Sequence, residues 1–339
     1  MTGNRPTLSW RHIRTACLTG YGAVLAYLTA VGGVPTARLP LACIIVTGLL
    51  LTRLGQGWRR MGQVIVDWAP FTAVLLLYDR TRGIADSLGI PLHERDIVHA
   101  ERWVFGGIDP TVWLQNHLYD AAHPTNVHWY DALCTLVYTS HFLATPIVAA
   151  ILWLRARKLW IRYISRVIAL SFSGLLTYVL FPEAPPWLAA KDGYLAPVGR
   201  LSARGWIWLH AGNVNTTLAK AQTAGSNAVA AMPSLHTAFA TLIALFIGSL
   251  LTTRWRYLLA LYPTAMAFTL VYTGEHYVLD CVAGVLYALA VHFGIRRWER
   301  RRAARGEDPA ADAAQATSLE TVPLAVSRTA LPVEKPKPA

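Results

Sequence analysis

Charge is the scarcest feature of this sequence. Only 15% of its 339 residues are Asp, Glu, Lys or Arg, against about 25% in soluble domains. So few charges exclude an ordinary soluble globular protein. Cysteine is also scarce. Cys17, Cys43, Cys134 and Cys281 all lie in apolar runs, and none forms a C-x-x-C pair. That excludes a disulfide framework and a zinc ribbon, and the four read as small core residues. Acidic residues are outnumbered by basic ones, 19 to 31, for a net charge of +12. In a soluble chain such an excess would suggest nucleic acid. Here the basic residues sit in short clusters between apolar runs, which is the membrane pattern. No internal repeat is evident.

What the sequence has is apolar length, with 54% hydrophobic residues. A spanning helix needs about 20 mostly apolar residues. About eight segments qualify, near residues 15–34, 38–54, 61–79, 130–154, 159–181, 234–252, 256–273 and 276–295. The Arg-rich lead of the first resembles that of a signal peptide, but the apolar run is too long for one, so an anchored helix is expected. Arginine clusters then alternate with the spans. Arg5, Arg11 and Arg14, then Arg53, Arg59 and Arg60, then Arg155, Arg157 and Lys158, then Arg254 and Arg256, then Arg296 to Arg302 all fall on one side. By the positive-inside rule that side is the cytoplasm, with both termini on it.

Two long loops, 80–129 and 182–233, are left on the outer side. The first holds DIVHAERWVFGG and PTVWLQNHLYD, aromatic-rich and suited to interfacial helices. The second, rich in Pro, Gly, Asn and Ala, reads as an ordered cap or re-entrant segment. Residues 1–14 form a cytoplasmic N-terminus and 15–302 a transmembrane domain. From residue 303 an Ala-, Pro- and Glu-rich tail shows no apolar periodicity and reads as disordered. The expected fold is all-α, a polytopic transmembrane helical bundle.

Two motifs carry chemistry. In TGEHYVLDCVAG, His276 and Asp280 are four apart and share one helix face at the outer start of the last span. An aspartate there can accept the imidazole's other N–H, set its tautomer and stabilise its cation. In AMPSLHTAF, Pro233 and Ser234 begin the sixth span, with Ser234 as cap and His236 just inside. A helix start offers free backbone N–H groups to a phosphate. Two histidines at one depth allow one to attack phosphorus while the other protonates the leaving oxygen. A zinc site from His236, His276 and Asp280 is an alternative in ligand type only, and no metal or cofactor is expected.

PSLH followed by GEHYVLD resembles the second and third signatures of the type-2 phosphatidic acid phosphatase superfamily, P-S-G-H and S-R-x5-H-x3-D. Leu235 replaces the glycine, Leu270 replaces the arginine, and the K-x6-R-P signature is missing. FPEAPPW at 181–187 resembles the branch holding the fungal inositol phosphorylceramide synthases and their bacterial relatives. The resemblance spans about residues 60–296. It implies that His276 is the nucleophile, Asp280 its partner and His236 the general acid, with a phosphohistidine-type intermediate and no metal.

The missing arginines leave the phosphate without formal positive charge. Arg80 and Arg82, at the outer end of the third span, are the candidates to supply it, with Lys191 behind them. Snorkelling to the interface is the competing role for both arginines. Asp67, inside the third span, is read as functional or as paired with Arg166. His128 and His141 are weaker candidates to line the site. Tyr130, Trp187, Trp206 and Trp208 fit an aromatic belt.

The expected activity is a lipid phosphotransferase acting on phosphorylated head groups at the outer face of the plasma membrane, with lipid substrates as partners. The alternatives are a phosphatase on lipid phosphates or polyprenyl pyrophosphates, and, in a different class, a transporter or scaffold.

Overall fold

The computed structural model describes residues 9–32, 38–81, 90–211 and 229–306, with backbone alone at 32, 38, 75 and 78–81. The chain divides into two units, residues 1–296 and 297–339. The described residues are helical, and the β-type pairing among them is limited to isolated bridges. In chain order the helices are α1 (Trp10–Gly32), α2 (Arg38–Thr52), α3 (Trp58–Thr81), α4 (Arg95–Val104), α5 (Pro110–Leu118), α6 (Trp129–Arg155) and α7 (Arg157–Leu180). Then follow α8 (Pro186–Lys191), α9 (Gly205–Trp208), α10 (Leu235–Leu250), α11 (Leu261–Tyr272) and α12 (Val278–Ala304).

Helices stand at all eight segments expected to span. Among the described residues, three of them, α6, α7 and α12, are long and apolar enough to cross a membrane. The stretch expected at 256–273 is broken into a 3₁₀ turn over Arg254–Ala260 and the 12 residues of α11. Leu39–Thr52 and α10 are apolar but shorter.

The main core joins α3, α6, α7 and α10 through Trp68, Trp153, Trp160, Tyr163, Leu170, Leu242 and Phe246. Close helix contact here depends on small residues, as expected where apolar side chains alone do not drive helices together. A Cβ on Gly284 of α12 would lie 2.4 Å from Ser234 O and 3.3 Å from Ala238 N. The bare glycine therefore lets α12 press directly on the start of α10. Gly174 of α7 plays the same part against the Leu235 side chain, 2.7 Å from its would-be Cβ.

Asp67 is paired, but not with Arg166. Its carboxylate takes Arg157 Nη2 at 2.7 Å and Nε at 3.0 Å, and Trp153 Nε1 at 2.8 Å. Arg157 begins α7 and Asp67 faces it from α3, so the helix register selects this arginine. Arg166 lies further along α7, donates to Arg162 O and packs over the Phe246 ring. Asp67 is thus a structural bridge between α3, α6 and α7.

Within the first long loop, Arg95–Val104 and Pro110–Leu118 fold as α4 and α5. One face of α4 is buried at Ile97, Val98 and Glu101, while Trp103, Ile108 and Trp113 stay exposed around it. Gln115 of α5 pins the second loop. Its Nε2 donates to Gly199 O at 2.8 Å and to Tyr272 O at 2.9 Å, and its Oε1 accepts from Gly199 N at 2.7 Å. Leu201 N then donates to Thr273 O at 3.0 Å. Residues 199–201 are thereby laid along the turn that follows α11. Buried Arg204 locks the next stretch to the start of α6, through Asp131 at 3.3 Å and the carbonyls of Pro124 and Asn126.

Two aromatic residues expected in a belt are used internally. Trp206 is buried, and Trp187 lies 4.9 Å beneath the Arg200 guanidinium. Trp208 is exposed, while Tyr130 donates to Leu118 O at 2.7 Å. Loop closure, invisible in composition, draws the first pair inward.

Candidate active site

The turn between α11 and α12 builds the centre. Helix α11 ends at Tyr272, and Gly274 follows with φ +75°. That left-handed conformation suits glycine, and a Cβ there would also meet Gly199 O at 2.8 Å. Glu275 N and His276 N both donate to Leu270 O, at 3.0 and 3.3 Å. His276 therefore sits in a fixed link ahead of α12, which starts at Val278. The expectation that His276 and Asp280 share one helix is corrected to that extent. The pairing survives, because the link delivers His276 Nδ1 to Asp280 Oδ2 at 3.2 Å. The same Oδ2 accepts Tyr277 N at 2.9 Å, so Asp280 caps its own helix while holding the histidine. Both side chains are buried.

Glu101 reaches across from α4 to the same helix start. Its two carboxylate oxygens accept Val278 N at 3.0 Å and Leu279 N at 3.2 Å. A helix from a distant part of the sequence thus satisfies the donors that open α12. Burial pushes the Glu101 carboxyl up to about 7; the two N–H bonds pull it down, and the charges of Asp280 and Asp109 add to the rise.

His236 comes from α10. Ser234 caps that helix as expected, with its Oγ accepting Thr237 N at 3.4 Å. It is fully buried in that role, and its backbone N–H donates to Asp280 O at 3.0 Å. The two motifs are therefore hydrogen-bonded to each other through their backbones. The rings of His236 and His276 lie with centroids 5.6 Å apart. On its other faces His236 meets His141 at 4.0 Å and stacks on Tyr138 at 5.1 Å. His141 is thereby brought to the site, whereas His128 precedes α6, where its backbone N–H donates to Asp131 and its ring stacks on Tyr130.

Beside this centre stands a cation that the sequence did not single out. Arg200 Nε donates to Glu275 Oε1 at 2.9 Å, and Ser202 Oγ donates to the same oxygen at 2.5 Å. Burial opposes the arginine's charge, but Glu275 and then Tyr138 outweigh it and hold Arg200 above its ordinary value. Tyr138 thus lies between Arg200 and His236. Of the expected phosphate ligands, Arg82 and the Arg80 side chain lie outside the described residues. Lys191 is exposed at the end of α8. The signal for Arg200 was weak: one of two arginines in PVGRLSARGW, on a loop that Gln115 pins in place.

Glu183, in the FPEAPPW segment, is another residue missed, as are Glu101, Tyr138 and Ser202. Its N–H donates to Val229 O at 2.8 Å, and bridges tie it to His93 and Ala230. Its side chain is fully buried and within hydrogen-bonding reach of Asp280. An acid inside an otherwise apolar and proline-rich run was the available sign.

Comparison with known proteins identifies the family. The PAP2 superfamily model matches residues 95–294, which contain both histidines, Asp280, Glu183 and Arg200. Phosphoinositol dihydroceramide synthase of Bacteroides thetaiotaomicron is 27% identical over 251 residues, covering 71% of this chain and 78% of that protein. No solved structure matches the chain. The family match takes in 200 of the 339 residues, so the protein belongs to the PAP2 superfamily and is an enzyme of phosphatase or phosphotransferase type.

Proposed function

We propose that this enzyme is a lipid phosphotransferase in which His276 is the nucleophile, His236 the general acid and base, and Asp280 the partner of His276. The observation that carries this reading is the pair of rings 5.6 Å apart, one of them held through Nδ1 by a buried carboxylate. With Nδ1–H on Asp280, the Nε2 lone pair of His276 is free to form a bond to phosphorus. The bond from phosphorus to the leaving lipid oxygen breaks, and His236 supplies the proton that oxygen takes up. In the second half His236 takes the proton from an acceptor hydroxyl. That oxygen attacks the phosphohistidine and returns His276 to its starting state. Arg200, held by Glu275, supplies the charge that the phosphoryl oxygens need.

The relative's name directs the choice of head group. A phosphoinositol or similarly phosphorylated head group passes to the hydroxyl of a membrane lipid. In the orientation that the arginine clusters favour, eight spans put both termini in the cytoplasm and the histidines at the outer face of the plasma membrane. The exposed Trp103, Ile108 and Trp113 then face the membrane interface.

The test is purified enzyme assayed on phosphatidylinositol with and without a short-chain dihydroceramide. A new phosphodiester lipid that forms only with the acceptor is the expected product. Release of free phosphate from lipid phosphomonoesters, with no transfer, would select the phosphatase instead.

A further inference from the structure

Asp280 has two carboxylate oxygens, and the site accounts for only one of them. Oδ2 receives Tyr277 N–H and His276 Nδ1. Oδ1 is buried without a hydrogen-bond partner, and so are both oxygens of Glu183. The two side chains are each 0% exposed, and their carboxyl groups are within hydrogen-bonding reach of one another. Three acceptor oxygens without a donor, shut away from water, make a costly arrangement. A single proton resolves two of the three: it turns one Glu183 oxygen into a donor and gives Asp280 Oδ1 its partner.

We infer that Glu183 is a positioning residue that works as the neutral acid, donating its O–H to Asp280 Oδ1 while Asp280 Oδ2 holds His276. The inference rests on the histidine-nucleophile reading above. Its chemistry is simple: Glu183 keeps its proton throughout the cycle and exchanges no atoms with the substrate. A neutral donor orients Asp280 without adding negative charge behind it. An ionised Glu183 would repel Asp280 and disturb the tautomer on which the free Nε2 depends.

The surroundings agree. The groups facing Glu183 are Asp280 from the start of α12, Tyr277 from the link before it, and Glu101 and Asp96 from α4. His93, beside Glu183 in the backbone bridge, is engaged with Asp96 at 2.5 Å. Burial first, then the charge and hydrogen bond of Asp280, hold the Glu183 carboxyl well above the usual range, and Glu101 and Asp96 add to it. The segment has little freedom to move the carboxyl away, because its backbone is clamped on both sides by residues 93 and 229–230.

Glu183→Gln, Glu183→Asp and Glu183→Ala test this in purified, folded enzyme. Glutamine mimics the neutral acid in shape and can donate to Oδ1. Its kcat at neutral pH is expected within about threefold of the parent, and the alkaline limb that Glu183 ionisation contributes to kcat/KM is expected to vanish. The alanine and the shorter aspartate are expected to lose tenfold or more of kcat. An infrared difference spectrum between the parent and the glutamine variant should show the carbonyl band of a buried protonated carboxylic acid. That band is read without turnover, so it separates this inference from the function on which it rests. If the parent shows neither transfer to the dihydroceramide nor release of phosphate, the reaction is wrong, and the band still reports on Glu183. A glutamine variant that is as inactive as alanine, that fails to fold, that keeps the parent's alkaline limb or that leaves the band in place overturns the inference.

Discussion

Arg200 and Glu275 are 75 residues apart in the chain and 2.9 Å apart in space, Nε to Oε1. Ser202 joins the same carboxylate oxygen. The carboxylate beside His276 therefore carries a guanidinium into the site, where its charge alone would have repelled a phosphate.

Replacing Arg200 is the first test. Arg200→Ala is expected to cost about 10²–10³ in kcat/KM, the range seen when one preorganised donor to a developing charge is removed. Arg200→Lys should lose tenfold or more, since a bidentate fork becomes a point charge. Steady-state kinetics with unchanged thermal stability would check it. If the lysine variant stays within about threefold of the parent, the phosphate is held elsewhere, and the Arg80 and Arg82 variants become the ones to measure.

His276→Ala and His236→Ala should each abolish turnover while the protein remains folded. Asp280→Asn should lose about 10⁴-fold, as an orienting acid can. Intermediate trapping separates the histidines. Radiolabelled phosphoryl donor should label the parent, and should fail to label His276→Ala under any condition. Persistent label on that variant would move the nucleophile to another residue.

Gly284→Ala puts one methyl group where α12 meets the backbone of α10. Its nearest neighbour at 2.4 Å is a backbone oxygen, which has no flexible end to move aside. Overpacking of this kind costs about 1–3 kcal/mol. It should also separate His236 from His276, so kcat and thermal stability are expected to fall together. Gly294→Ala on the same helix meets nothing within 4 Å and serves as the control. Equal behaviour of the two variants in a melting experiment would remove the close-contact argument.

Glu101 gives stability a pH dependence. Its folded value is raised from 4.5 to about 7, so the folded state holds the proton more tightly than the unfolded one. That contribution is complete below 4.5 and is lost as pH rises to about 7. Glu101→Gln does not titrate. The melting temperature of the parent minus that of the variant should therefore decrease across this interval and level off above it. A difference that is flat with pH would show that Glu101 titrates alike in both states.

The helices were legible because apolar runs of spanning length are a one-dimensional signal. The pair His276 and Asp280, and the cap Ser234, were legible because each depends on residues within four positions of one another. Arg200 and Glu183 were not legible in that way. Each reaches the centre through loop backbone pinned by distant partners: Gln115 and Thr273 for the first, His93 and Val229 for the second. The pairing of Asp67 also turned on which arginine the register of α7 brought opposite it.

What the amino-acid order determined by itself was therefore local: an apolar helical chain, two histidine motifs at helix starts, and the family to which they belong. What only the tertiary structure decided was which charges share the buried centre. Short-range patterns follow from the helical repeat and from capping. A carboxyl group buried behind Asp280, or an arginine carried in by Glu275, follows from how long loops close. Many loop paths satisfy the same local sequence, and packing selects among them.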